Sequence, residues 1–173
     1  MTPRRPDSAI SVRDARHEDA PVIVRMAGDL SRHDGDPDTY LDLAAAKADI
    51  FGPRPWVSAL VAEIGGAVAG MLLWYPAYET AWAARGAFVV SLWVDDPFRR
   101  RGVATALVAA AADRTRKIGG EYLWWASKPS NRRAHATYSS LGALAEPVMA
   151  HALVMDAFAT LARLSAPAED SSK

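Results

Sequence analysis

A mixed α/β fold is predicted by three observations. Apolar, strand-like runs alternate with amphipathic helical stretches along the chain. The pair Gly65-Gly66 joins two such runs as a tight hairpin would. The run at 88–94 passes directly into a helix through Asp95-Asp96-Pro97-Phe98-Arg99-Arg100-Arg101-Gly102. With 173 residues, half of them hydrophobic, the chain can bury one substantial core. Residues 1–8 read as a flexible arm, 9–164 as a single domain and 165–173 as a disordered tail.

Residues 10–13 form a short strand, followed by a helix over 18–30 whose first turn carries Glu18 and Asp19 at its positive end. Ser31-Arg32-His33-Asp34-Gly35 is a polar break. Asp36 can then cap a second helix over 37–51, with Pro37 at its first position and Gly52-Pro53 closing it. Strands at 56–63 and 68–75 flank the glycine pair, and Pro76 reads as the end of the second. Residues 78–86 read as a loop carrying Glu79, Trp82 and Arg85. Beyond the strand at 88–94, Val103, Leu107, Ala111 and Ile118 mark the apolar stripe of a helix ending at Gly119-Gly120. A strand at 122–127, a short helix from Asn131 to about Leu141 and a last strand at 148–155 complete the order.

The junction at 94–105 carries the chemistry. Backbone N–H groups in a helix's first turn lack intrahelical partners, converge on one point and carry the positive end of the dipole, so an anion can sit there. Gly102 and Ala104 keep the approach open, Val103 between them belongs to the same cofactor-binding turn, Arg99, Arg100 and Arg101 add charge, and Thr105 offers a hydroxyl one turn in. A solvated basic turn is the plain alternative. A nucleotide-triphosphate loop is excluded, because no Gly-Lys-Ser/Thr follows.

Composition narrows the rest. Lys plus Arg equals Asp plus Glu, so whole-chain charge calls for neither nucleic acid nor an anionic membrane as partner. The absence of cysteine excludes disulfides, thiolate metal sites and a cysteine nucleophile. No long apolar stretch follows the basic Met1-Thr2-Pro3-Arg4-Arg5-Pro6, and a cytoplasmic protein is expected. His33 beside Asp34 and Asp36 reads as a helix entry rather than a metal site, so no metal is expected.

The order of elements and two motifs resemble the GNAT superfamily of N-acetyltransferases, over about residues 10–156. Arg99, Gly102 and Ala104 match its acetyl-CoA pyrophosphate motif. Asn131 through Ala143 looks like its second motif, an Asn, a Tyr seven residues on at Tyr138, and Leu141-Gly142 soon after. The resemblance implies a central, mostly antiparallel twisted sheet, splayed between strands 4 and 5 and flanked by helices. It implies acetyl-CoA as cosubstrate, with its pantetheine arm paired to backbone groups of Leu92, Trp93 and Val94 and touched by Asn131. Tyr138 looks like the general acid that protonates the leaving thiolate, a role suited to a phenol that is protonated at neutral pH.

Tyr75-Pro76-Ala77-Tyr78-Glu79-Thr80, Gly86 and the Ser-Leu-Trp-Val strand are most similar to diamine, polyamine and small-amine acetyltransferases. Where those enzymes carry an acidic pair, this chain has Val90-Ser91. A small primary amine is therefore expected to attack the thioester directly. Its proton would pass through water to Glu79, Glu63 or His33, Glu79 first, since its loop is expected to overhang the acetyl group. Tyr75 and Trp82, with Glu79 and His33, are the candidate acceptor-binding residues, cation and ring face attracting one another. A homodimer is implied by the family. Acetylation of a protein lysine or N-terminus, and a non-catalytic acyl-CoA-binding regulator, are the alternatives.

Overall fold

A computed structural model of the protein describes residues 9–36 and 41–164. The arm at 1–8, the tail at 165–173 and the expected start of the second helix at Pro37 lie outside these residues. The described chain divides after Leu141 into two compact units.

In the first unit, β1 (Ser11–Asp14) leads through a 3₁₀ turn to α1 (Ala20–Asp34) and α2 (Leu43–Asp49). Strands β2 (Ser58–Ile64), β3 (Ala67–Glu79) and β4 (Ala84–Val94) follow, then α3 (Val103–Lys117), β5 (Tyr122–Trp124) and α4 (Arg132–Ser140). The sheet runs β1-β2-β3-β4-β5. The first three pairings are antiparallel and the last, between β4 and β5, is parallel. Side chains alternate across a strand, so β2 divides its residues between two cores. Leu60, Ala62 and Ile64 pack with Val103, Leu107 and Ala111 of α3, while Ala59 and Val61 pack with Ile23 and Met26 of α1 and Ala46 of α2. The sheet is thus sandwiched between α3 on one face and α1 with α2 on the other.

The expected hairpin is present. Gly65 and Gly66 both have positive φ, 60° and 81°, the pair of values that a two-residue turn matched to strand twist requires. The helix expected at 37–51 is shorter: its described part begins at Leu43, because the Asp42 carboxylate, not Asp36, accepts from the Ala45 N–H at 2.7 Å and caps it.

Pro76 does not end β3, and residues 78–86 are not a loop. β3 and β4 pair out to Glu79 and Ala84, leaving only a tight turn between them. The reason is positional: β2 stops pairing at Trp74, so beyond it β3 has a neighbour on one side only, and the N–H that proline lacks is not needed on the other. Near the base of this hairpin the Tyr122 ring covers Gly86, where a Cβ would meet ring carbons at 2.4 to 2.6 Å. Gly86→Ala is expected to lower stability by about 1–3 kcal/mol through overpacking, read as a lowered urea midpoint with unchanged slope.

The second unit carries α5 (Met155–Arg163) in place of the strand expected at 148–155; residues 148–154 are in no described strand. Met155, Phe158 and Leu161 recur at helical spacing among the helix formers Ala157, Ala159 and Ala162, and this local preference prevails. No described helix is long and apolar enough to cross a membrane.

Candidate active site

The site starts from a divergence of strands. β4 and β5 pair only from Gly86 to Phe88 against Tyr122 to Trp124, after which they separate. A register shift opposite Leu73 and Trp74 leaves Val90 as an extra, half-exposed residue on β4, a bulge at the point of separation. The N–H of Asp95 donates to the carbonyl of Ala69 on β3 at 3.0 Å. Backbone groups of successive residues alternate in direction, so those of Val94 and Leu92 face the open side, whereas those of Trp93 belong to the ladder opposite Met71. The expected backbone contacts thus narrow from three residues to two, and Trp93 lines the opening by its side chain instead. The resulting cleft has a volume of about 450 Å³.

At the end of β4 the chain turns into α3. Arg100 and Gly102 both have positive φ, 61° and 86°, and Gly102 is the residue before the first helical turn. No side chain caps this helix. By contrast, α2 and α4 are capped by Asp42 and Asn131. The first-turn N–H groups of α3 therefore face the cleft, whose lining includes Gly102, Val103, Ala104 and Thr105. Arg100 lines it too, and Arg101 is exposed on the same turn. Arg99 turns inward: its Nε donates to the Val94 carbonyl at 2.9 Å, its Nη1 pairs with Asp96 at 2.5 Å, and its guanidinium lies 4.6 Å from the Trp93 ring centre. Uncapped helix amides, basic side chains and an open strand edge are the donor set that a diphosphate followed by an amide-bearing arm requires, so these residues fit coenzyme A.

The opposite wall is α4 and the segment after β5. The Asn131 side-chain oxygen accepts from the Ala134 N–H at 3.1 Å, so this cleft-lining residue also starts the helix that carries Tyr138. Tyr138 faces the cleft with its ring edge-on to Trp125 at 5.0 Å. Burial, with a smaller contribution from the nearby Asp34 charge, pushes its phenol above the ordinary value, so it is held protonated. The Lys128 ammonium crosses the mouth, donating to the Asp34 carbonyl at 2.6 Å and to the Asp36 carboxylate at 2.5 Å. Sequence reasoning gave Lys128 no such role, and its partners lie more than ninety residues away in the chain.

His33 lines the cleft, its ring edge-on to Trp93 at 5.6 Å. The other candidates for proton transfer and acceptor contact lie elsewhere. Glu79 sits at the tip of the β3–β4 hairpin, where its carboxylate accepts from the Ala81 N–H at 2.9 Å and closes the turn; it does not line the cleft. Trp82 packs on Tyr122 at 5.4 Å. Tyr75 stacks on Phe88 at 5.3 Å, and Phe88 meets Trp124 at 5.0 Å, so these rings form a row across three strands beside the point of separation. Glu63 is held by Arg13, which also binds Asp19, both at 2.6 Å, tying β1 to β2 and to the start of α1. Among the described residues no three His, Asp or Glu side chains cluster as metal ligands.

Residues 23–143 match the model of the acetyltransferase (GNAT) family. The thialysine N-epsilon-acetyltransferase of Bos taurus is 29% identical over 143 residues, 78% of this chain and 84% of that protein. The L-ornithine N5-acetyltransferase of Arabidopsis thaliana is 30% identical over 76 residues, 44% of this chain and 33% of that protein. A possible acetyltransferase from Clostridium difficile has the same fold, with a TM-score of 0.69 and 20% identity over 84% of this chain and 98% of that one. An aminoglycoside acetyltransferase from a soil metagenome has a TM-score of 0.68 and 16% identity, over 84% of this chain and 95% of that one. With both motifs on the walls of one cleft and the family match spanning most of the chain, this protein is a member of the GNAT family of acetyltransferases.

Proposed function

We propose that this protein transfers the acetyl group of acetyl-CoA to a primary amine of a small molecule, by direct attack within a ternary complex. The observation that carries the reading is one cleft with the uncapped α3 amides and open β4 edge on one side and a protonated phenol, Tyr138, on the other. The similar thialysine N-epsilon- and L-ornithine N5-acetyltransferases are named for a nitrogen of a small amino acid, which supports an acceptor of that class.

In this reading the α3 amides, Arg100 and Arg101 hold the diphosphate, and the backbone groups of Leu92 and the N–H of Val94, whose carbonyl accepts from Arg99, pair with the pantetheine arm. The neutral amine nitrogen bonds to the thioester carbon and the carbon–sulfur bond breaks. The sulfur takes the phenolic proton of Tyr138, which solvent restores, and the proton lost by the amine passes through water to His33. His33 takes precedence over Glu79 and Glu63 because it alone of the three lines the cleft. A cytoplasmic homodimer completes the proposal, on the cysteine-free composition and the habit of the family.

Thiol release from acetyl-CoA tests the reading with a panel of thialysine, ornithine, diamines, aminoglycosides and peptides. Turnover is expected with the small amines. Turnover with peptides alone would replace it by protein acetylation, and tight CoA binding without turnover on any amine would replace it by an acyl-CoA-binding regulator.

A further inference from the structure

Immediately after β4, the Asp95 carboxylate joins three parts of the molecule. Its Oδ2 accepts from Arg25 Nη2 at 2.6 Å and its Oδ1 from Arg25 Nη1 at 3.2 Å, a two-pronged pair with α1. The same Oδ1 accepts from the Trp93 indole N–H at 2.9 Å, and Asp95's own N–H completes the β3 ladder at Ala69. On the far side, Arg99 lies over the Trp93 ring and donates to the Val94 carbonyl. Burial alone would raise the Asp95 carboxyl, but the hydrogen bonds from Arg25 and Trp93 outweigh it and hold the group below the usual carboxylate range.

Arg99 is therefore occupied from several directions by the protein itself. Its Nε, one Nη and its flat face all have partners, so Arg99 braces the turn while lining the cleft. The brace is only as fixed as the indole beneath it, and that indole is fixed by Asp95, which is fixed by Arg25. Arg25 is anchored a second time, by Asp29 one turn along α1 at 2.7 Å.

We propose that Asp95 is a positioning residue for the diphosphate half of the donor site, setting through Trp93 and Arg99 where the turn at Arg100 to Gly102 presents its amides. The inference rests on the reading of this corner as the coenzyme A site. Asp95 touches no substrate; it acts through the ring and guanidinium that hold the turn. The arm-binding edge at Leu92 is held independently by the β3 ladder, so a ligand without the diphosphate is insensitive to it.

Calorimetric affinities for coenzyme A and for pantetheine, which lacks the diphosphate, test this directly. Asp95→Asn keeps the shape and one acceptor but loses the charge that Arg25 grips. It is expected to weaken coenzyme A about tenfold, the size of one charge-assisted bond lost, and to leave pantetheine within about twofold. Arg25→Gln, on the half-exposed face of α1, is expected to do the same and carries the test should Asp95→Asn fail to fold. Trp93→Phe keeps an aromatic ring beneath Arg99 but removes the N–H together with one ring of the indole, and is expected to weaken coenzyme A in the same selective way. Equal losses for both ligands, or no loss for either, in variants with wild-type circular dichroism would overturn the proposal. A wild-type protein that bound coenzyme A no better than pantetheine would instead overturn the reading of the corner itself.

Discussion

Tyr138→Phe is expected to lower kcat by at least about 100-fold while leaving coenzyme A affinity within about twofold, because a positioned acid acts on the transition state and the ring still packs without its hydroxyl. The ring's contact with Trp125 survives the substitution, so the loss is chemical rather than structural. The pH profile carries a second signature. Burial and the Asp34 charge raise the phenol above its ordinary value, so the proton needed by the leaving sulfur is present throughout the neutral range and is lost only as pH climbs past the usual phenol value. The wild-type rate is therefore expected to show no fall on the alkaline side assignable to Tyr138 until beyond that point. A variant with the wild-type rate would remove the acid role and leave proton delivery to water.

Leu107→Ala is expected to cost about 2–5 kcal/mol of stability, measured by urea denaturation. Leu107 is fully buried at the centre of the face that joins α3 to β2, β3 and β4, with Val103 and Ala111 one turn either side. Truncation there leaves a cavity under a helix whose start forms the anion-binding corner, and close-packed surroundings relax only partly into such a space. The effect is expected to exceed that of Gly86→Ala, which adds one methyl against the Tyr122 ring. A loss below about 1 kcal/mol would mean that α3 settles onto the sheet after truncation.

What the sequence revealed was what its neighbours in the chain decide. The turn at Gly65 and Gly66 and the apolar stripe Val103, Leu107, Ala111 are each set within a few residues and stand as read, whereas Ile118, read as the last member of that stripe, lies past the end of α3 and is exposed. What it concealed depends on distant chain. Pro76 reads as a stop until one sees that β2 has already ended beside it. Glu79 reads as a catalytic candidate until β3 and β4 are seen to pair out to Glu79 and Ala84, which confines its carboxylate to the tight turn at Ala81. The grip of Arg25 on Asp95 spans seventy residues, and the bridge from Lys128 to Asp36 spans 92. Asn131 and Tyr138 were legible as a motif, but the placement of both on the wall facing the α3 amides needed the fold.

The lone parallel pairing of the sheet has a wider consequence. Because β4 and β5 run the same way and a crossover through α3 links them, both leave the sheet at the same rim, and among the described residues no further strand fills the gap where they part. The slot is thus made by the backbone, where a pairing of three residues ends beside the bulge at Val90. Descendants of such a scaffold can lose their chemistry by one substitution and still keep the groove, so a silent relative and an active one would share an outline and differ only in what a single atom can donate.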